Sequence, residues 1–237
     1  MNTIIRGLYT SAAGMISQLQ VQDVAANNLA NANTTGFKKD QPVFAAFPEL
    51  LLHRLHDAGS HSSVPIGTTG TGVWVQEIAT VHQQGVLEET GRELDFALAG
   101  EGFFVVETPL GRRYTKNGSF AFDAEGYVVT NSGHRVLGNN GYYLTGEDNL
   151  PDQLLVVNFP AETLLIKEGD SLFFTEETGQ AHPGNPVRQG VLEKSNVNVV
   201  TAMVDMIAVI RAYEANQKAI QVQDQTLDKA VNDVGRV

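Results

Sequence analysis

From Thr3 to Asn31 apolar residues recur at alternating steps of three and four. The inward positions are Ile5, Leu8, Ala12, Met15, Leu19, Gln22, Ala26 and Leu29, and Gln22 is the single polar member. No proline interrupts the stretch, and only Gly7 and Gly14 weaken it as a helix. Such a sustained 3.5-residue period predicts a coiled-coil helix rather than the broad-faced helix of a globular surface. The other end repeats the pattern with Met203, Met206, Ile210, Tyr213, Gln217, Ile220, Asp224, Leu227, Val231 and Val234. Gln217 and Asp224 are polar seam residues of the kind that set register or partner number at some cost in stability. Asn196 or Asn198 caps the start of this second helix, and Gly235 stands where it stops. At about 1.5 Å per residue, the two helices reach roughly 40 and 50 Å.

The period changes between the ends. Val73–Val81 is rich in β-formers, and Phe103-Phe104-Val105-Val106 is an apolar run suited to a buried strand. Arg113–Thr115 and Ser119–Phe122 follow, then a turn at Asp123–Gly126 and a return strand at Tyr127–Thr130. Leu154–Phe159 and Ser171–Thr175 add two more. Asn131–Gly133 and Asn139–Gly141 supply turns, because Gly and Asn tolerate positive φ. Strands at this spacing predict an antiparallel sandwich or small barrel. Asp57–Gly72 and Glu176–Pro186, rich in Gly, Ser, Thr and Pro, read as loops, and Glu49–Leu55 reads as a short helix.

The expected fold is thus α+β, mainly β: long N- and C-terminal coiled-coil helices packed together, with a central antiparallel β domain. Its expected segments are 1–37 (helix and Asn-rich turn), 38–72 (linker), 73–186 (β domain) and 187–237 (second coiled-coil segment).

Charge narrows the partners. Among 237 residues, 16 are basic and 27 acidic, a net charge of −11 that repels phosphate backbones and anionic lipid. No nucleic-acid partner and no direct membrane insertion are expected, since no run approaches the ~18 apolar residues of a membrane span. The N-terminus lacks the continuous apolar block of a cleavable signal. Cysteine is absent, which excludes disulfides and thiolate chemistry.

Candidate chemistry is sparse. Gly67–Gly72 is glycine-rich but precedes a strand, whereas a dinucleotide cradle needs a strand before it and a helix after. His53 and His56 have helical ligand spacing, but no carboxylate stands at a matching offset and His61 falls in a Ser-rich stretch. Glu88, Glu89, Glu93 and Asp95 form the densest acidic cluster, and paired carboxylates are the chemistry of glycan hydrolysis. No nucleophile elbow accompanies them. No catalytic residue, metal or cofactor is expected.

The segment Ala26–Lys38 (ANNLANANTTGFK) resembles the signature of the bacterial flagellar rod and hook family. Arg92–Leu98, Gly102–Val106 and Tyr114–Phe120 are similar to its middle motif, and Ser195–Val199 with Arg211–Asn216 to its C-terminal one. The resemblance implies a structural subunit of the flagellar basal-body rod, self-assembling through its terminal helices into the axial tube that transmits torque. Its implied partners are other copies of itself, neighbouring rod and hook proteins, and the flagellar type III export apparatus. The implied location is the basal body, outside the cytoplasmic membrane. A hook-type subunit is the alternative within the family, and an envelope glycan-binding or hydrolytic module on a helical stalk the alternative outside it. A proximal-type and a distal-type rod protein both remain open.

The expected assembly interface is Ile5, Leu8, Met15, Leu19, Leu29, Met203, Met206, Ile210, Tyr213, Ile220, Leu227 and Val231. The signature turn comprises Asn27, Asn28, Leu29, Asn31, Thr35, Gly36 and Phe37. Its amides are expected to satisfy orphan helix carbonyls or to bridge to a neighbour, with Gly36 as the left-handed exit and Phe37 as an anchor.

Overall fold

A computed structural model describes residues 2–54, 64–146, 149–160, 162–181 and 187–232. In chain order the elements begin with α1 (Asn2–Ala30), β1 (Asp40–Ala46), β2 (Leu50–Arg54), β3 (Val64–Thr69) and β4 (Val73–Thr80). β5 (Leu87–Glu89), β6 (Phe96–Leu98), β7 (Phe103–Thr108), β8 (Gly111–Thr115), β9 (Phe120–Phe122), β10 (Val128–Thr130) and β11 (Arg135–Val136) follow. A four-residue helix, α2 (Leu150–Gln153), precedes β12 (Val156–Asn158), β13 (Ile166–Glu168), β14 (Leu172–Phe174) and β15 (Gln180–Ala181). Last come β16 (Val187–Gln189), β17 (Val191–Glu193) and the long α3 (Val199–Asn232). These elements sort into two compact units, one of residues 1–29, 40–79 and 199–237, the other of residues 30–39 and 80–198.

The second unit contains an antiparallel sheet in the order β13-β14-β8-β7-β11-β10-β9, with β12 also pairing with β7 and β15 pairing in turn with β12. Its central strand β7 is buried on both faces, which is why its sequence is a continuous apolar run rather than an alternation. The period of two still operates inside the run. Phe104 and Val106 enter one core with Phe96, Phe120, Val136 and Leu172. Phe103 and Val105 enter another with Tyr114 and Phe173. Two short ladders, β16 with β6 and β17 with β5, return the chain toward α3.

In the first unit α1 and α3 meet where Gly7 faces Gln223 and Gly14 faces Asn216. These pairs are seven residues apart on each helix but in opposite senses, so the helices run antiparallel. A Cβ on Gly14 would lie 3.0 Å from Asn216 Nδ2, and one on Gly7 would collide with the Gln223 carboxamide. Two antiparallel ribbons, β1 with β4 and β2 with β3, complete the unit. Ser17 Oγ of α1 donates to the Val73 carbonyl at 3.0 Å, and Thr10 Oγ1 to the Thr71 carbonyl at 3.2 Å.

Three expectations are corrected. Residues 50–54 form strand β2, not a helix, pairing Leu50 with Thr69 and Leu51 with Thr68. A short apolar run is ambiguous by itself, and an isolated helix of that length does not nucleate, so the available partner strand decides. The stretch 57–72 accordingly is not all loop, since β3 occupies Val64–Thr69; its residues 57–63 lie outside the described residues, as does 182–186 of the second loop. Residues 187–193 form β16 and β17, and α3 starts at Val199, directly after the candidate cap Asn198.

The third correction concerns the α3 stripe. Its covered positions include Ala202, Met206, Val209, Tyr213, Asn216, Ile220, Gln223 and Leu227, whereas Met203, Ile210, Gln217 and Asp224 are exposed. Met206, Tyr213, Ile220 and Leu227 fit either of two seven-residue registers. The glycines of α1 decide between them by leaving room for Asn216 and Gln223.

Candidate functional site

The signature turn builds outward from the end of α1. Past Ala30 the Thr34 amide donates to the Asn31 carbonyl at 3.1 Å and its hydroxyl to Asn31 Oδ1 at 3.2 Å. The Phe37 amide returns to the Thr34 carbonyl at 3.3 Å. Gly36 has φ +68° and is buried, and any Cβ there would strike the Asn117 backbone. It does take the left-handed conformation, though six residues past the helix end rather than as the helix exit.

Asn28, in the helical unit, reaches across to β1. Its Nδ2 donates to the Asp40 carbonyl at 2.7 Å and its Oδ1 accepts the Asp40 amide at 2.9 Å. One side chain therefore imitates a strand partner instead of closing helix carbonyls. Asn27 is exposed and Leu29 half-buried. Asn28→Ala should cost about 1–2 kcal/mol by removing both bonds. Faster exchange of the Asp40 amide, with Val105 unchanged, is the expected readout; an unaltered Asp40 amide would contradict it.

From Thr35 onward the turn is stitched to distant parts of the second unit. Thr35 Oγ1 donates to Asn117 Oδ1 at 2.8 Å, and the Gly36 amide to the Glu193 carbonyl at 2.7 Å. Phe37 is buried, and Lys167 sits 3.6 Å from its ring centre while donating to the Lys38 carbonyl at 2.8 Å. The Lys39 amide donates to Asn196 Oδ1 at 2.7 Å, and Asn196 Nδ2 donates to the carbonyls of Val81 and Gln83. Asn196, a candidate cap for the second helix, thus spends its amide on this junction. The three signature segments, distant in sequence, converge here.

The centre of the junction is charged, which nothing in the sequence signals: a lone Lys beside a Phe reads as a solvated side chain. Lys38 is 0% exposed and Glu193 1%. Lys38 Nζ donates to Glu193 Oε1 at 2.5 Å and to the Gln83 carbonyl at 2.8 Å. The Gly85 amide donates to the same Glu193 Oε1 at 2.8 Å.

Lys116 lies nearby, buried, with Nζ donating to the Gly100 carbonyl at 3.0 Å. Burial pushes its pKa down to about 8; Glu193 opposes the shift, Lys38 adds to it, and Glu101 opposes it. The unfolded chain holds this proton to about pH 10.5, so between the two values it binds more protons than the folded one. Stability therefore rises with pH through this window. The penalty for burying the charged lysine is fully present below about pH 8 and is relieved above it. Between about pH 7 and pH 10 the protein should gain about 2 kcal/mol relative to Lys116→Met, read from urea unfolding at each pH. A gap that stays constant would remove Lys116 as its source.

The expected assembly residues lie on α1 and α3. Leu8, Met15, Leu29, Met206, Tyr213, Ile220 and Leu227 are partly covered. Leu19, Met203, Ile210 and Val231 are exposed, and the Ile5 side chain lies outside the described residues. The acidic cluster does not form one cleft: Glu88 pairs with Lys194 at 2.7 Å, while Asp95 is buried and accepts from Thr90 Oγ1 at 2.7 Å. His53 is exposed on β2, and His56 and His61 lie outside the described residues.

Three family descriptions match in order along the chain. They are a flagella basal body rod protein over residues 8–38, a flagellar hook protein FlgE/F/G D1 domain over 97–167, and a flagellar basal body rod FlgEFG protein C-terminal region over 188–233. The first covers most of α1 and the signature turn, and the last covers β17 and α3. Among relatives, the flagellar hook-basal body complex protein FlhO of Bacillus subtilis is 32% identical, across 99% of this chain and 100% of its own. The flagellar basal-body rod protein FlgG of Borreliella burgdorferi is 34% identical, across 97% and 98%. FlgG of Buchnera aphidicola is also 34% identical, across 95% and 98%. The chain belongs to the flagellar basal-body rod protein family and is a structural rod subunit of the bacterial flagellar basal body.

Proposed function

We propose that this subunit builds the rod by self-association, with α1 and α3 completing coiled-coil bundles against neighbouring copies and neighbouring axial proteins. The observation that carries this reading is a second apolar face on α3. Val200, Met203, Val204, Ile207 and Ile210 are all exposed, although the opposite face of the same helix already covers Met206 and Val209. Tyr9, Ile16 and Leu19 are exposed on α1 in the same way. Burying each such side chain is worth about 1.5–3 kcal/mol, so a single chain leaves a large driving force unspent. Contact between different faces of successive copies gives an open helical tube when the rotation does not close.

The ribbons of the helical unit support the same reading. Two-stranded ribbons are marginal in water alone, yet Phe44, Leu51, Ile66, Trp74 and Ile78 lie exposed on them. A neighbouring subunit is the occupant that a rod supplies.

The subunit works without catalysis. Two carboxylates of the acidic cluster, Glu88 and Asp95, are tied into separate structural contacts. Passage through the flagellar export apparatus as an unfolded chain is consistent with the lack of cysteine crosslinks.

Removing residues 1–29 or 199–237 tests assembly. Either trimmed chain should keep the β signature of the second unit in circular dichroism and form no tubes in electron micrographs of concentrated protein. Tubes grown by trimmed chains as readily as by the intact one would end this reading.

A further inference from the structure

The turn at residues 35–39 is held by groups that come very late in the chain. Lys38 and Glu193 are 155 residues apart, and Lys39 and Asn196 are 157 apart. The pairing is also obligatory in both directions. A fully buried ammonium without its carboxylate is an uncompensated charge, worth several kcal/mol of destabilisation. Glu193 is equally dependent, since its Oε1 takes both Lys38 and the Gly85 amide while its Oε2 has no partner among the described residues. Neither side chain can enter the interior first without cost.

We propose that the Lys38–Glu193 pair is a closing latch: the signature turn stays undocked until the C-terminal strand bearing Glu193 and Asn196 is in place, and both chain ends of the second unit are then fastened in one step. The β7–β8 hairpin and its core need no part of this turn. Phe104 pairs with Thr115, Val105 with Tyr114 and Val106 with Arg113 through local ladder contacts. Loop closure over 155 residues is slower than closure of a hairpin, so Lys38 meets its partner after the β7–β8 hairpin has formed. The same closure joins the two stretches that lead into α1 and α3, at Ala30 and Val199. This inference does not depend on how subunits pack together.

Amide exchange on the full-length chain tests the latch. Glu193→Gln keeps the shape and the acceptor for the Gly85 amide but removes the charge. Exchange at the Gly36 and Lys39 amides should accelerate at least 100-fold, while Val105 and Val106 keep their protection. Adding Lys38→Met to Glu193→Gln removes the stranded cation, and protection at Gly36 and Lys39 should recover at least tenfold. In pulse-labelled refolding of the unaltered chain, Val105 and Val106 should become protected in an earlier phase than Gly36 and Lys39. The latch is overturned if Gly36 and Lys39 stay protected in Glu193→Gln or if Val105 loses protection equally. It is also overturned if the double variant is no better than the single, or if all four amides close in the same refolding phase.

Discussion

Replacing both Val204 and Ile207 by Asp should leave the chain folded and raise the concentration needed for tube growth by at least 100-fold. The two side chains are 59% and 51% exposed in the single chain, so the folded monomer loses little. Surface changes away from structural features usually move stability within about 0.5 kcal/mol. On the proposed packing, the same positions are buried against a neighbour. Two lost apolar burials amount to about 3–6 kcal/mol per contact, and two carboxylates forced into an apolar seam add a desolvation penalty. Sedimentation of the polymer as a function of protein concentration reads the effect, and urea unfolding supplies the monomer control. Unchanged polymer yield would show that this face of α3 is not an assembly surface. The test separates the face exposed in the monomer from the stripe through Met206, Tyr213 and Ile220, which already faces α1.

The largest loss of stability is expected from a single added methyl group at Gly118. Gly118 lies against the Phe96 carbonyl so closely that a Cβ would overlap its oxygen, and the Phe104 ring is 3.2 Å away on the other side. The Phe96 amide meanwhile donates to the Gly118 carbonyl at 2.9 Å, and Asp95 bridges Ser119. Neither neighbour can yield: one is backbone tied by its own hydrogen bond, and the other is a ring packed edge-on against Phe120 at 5.5 Å between centres. Gly118→Ala should therefore cost about 3 kcal/mol or more, a substantial part of the 5–15 kcal/mol typical of a folded domain. Gly126→Ala is the matched control. Gly126 has φ +84° but open space around it, so only the backbone preference is lost, about 1 kcal/mol. Urea unfolding of both variants distinguishes them. Equal losses would mean that crowding at Gly118 costs no more than the backbone preference lost at Gly126.

Legibility of the fold tracked the physical range of each signal. Strands β7, β9 and β10 were readable because apolar runs and an Asp-Ala-Glu-Gly turn are local signals, and the structure places them within a residue or two. Leu50-Leu51-Leu52 was not readable, because helix or strand depended on a partner after a loop. The α3 register failed at Met203 and Ile210 for a related reason. Met206, Tyr213, Ile220 and Leu227 are common to both registers, and only Gly7 and Gly14 on another helix break the tie.

The candidate site shows the same division. The Asn-rich turn stood out by composition, and Gly36 and Phe37 are buried where an unusual backbone and an anchor were expected. Its centre did not stand out. Lys38 and Glu193 look like ordinary surface charges in the sequence, and only their mutual burial makes them structural.

By itself the sequence determined the period of each segment, the two long helices, the β character of the middle, the acidic balance and the family signature. Those properties are carried by residues within a few positions of one another, where propensity and periodicity act directly. Tertiary structure alone decided which face of α3 is covered, that residues 50–54 become strand, and that Lys38 meets Glu193. Each of these choices compares two locally equivalent arrangements, and the free energy separating them comes from a partner that only folding brings within reach.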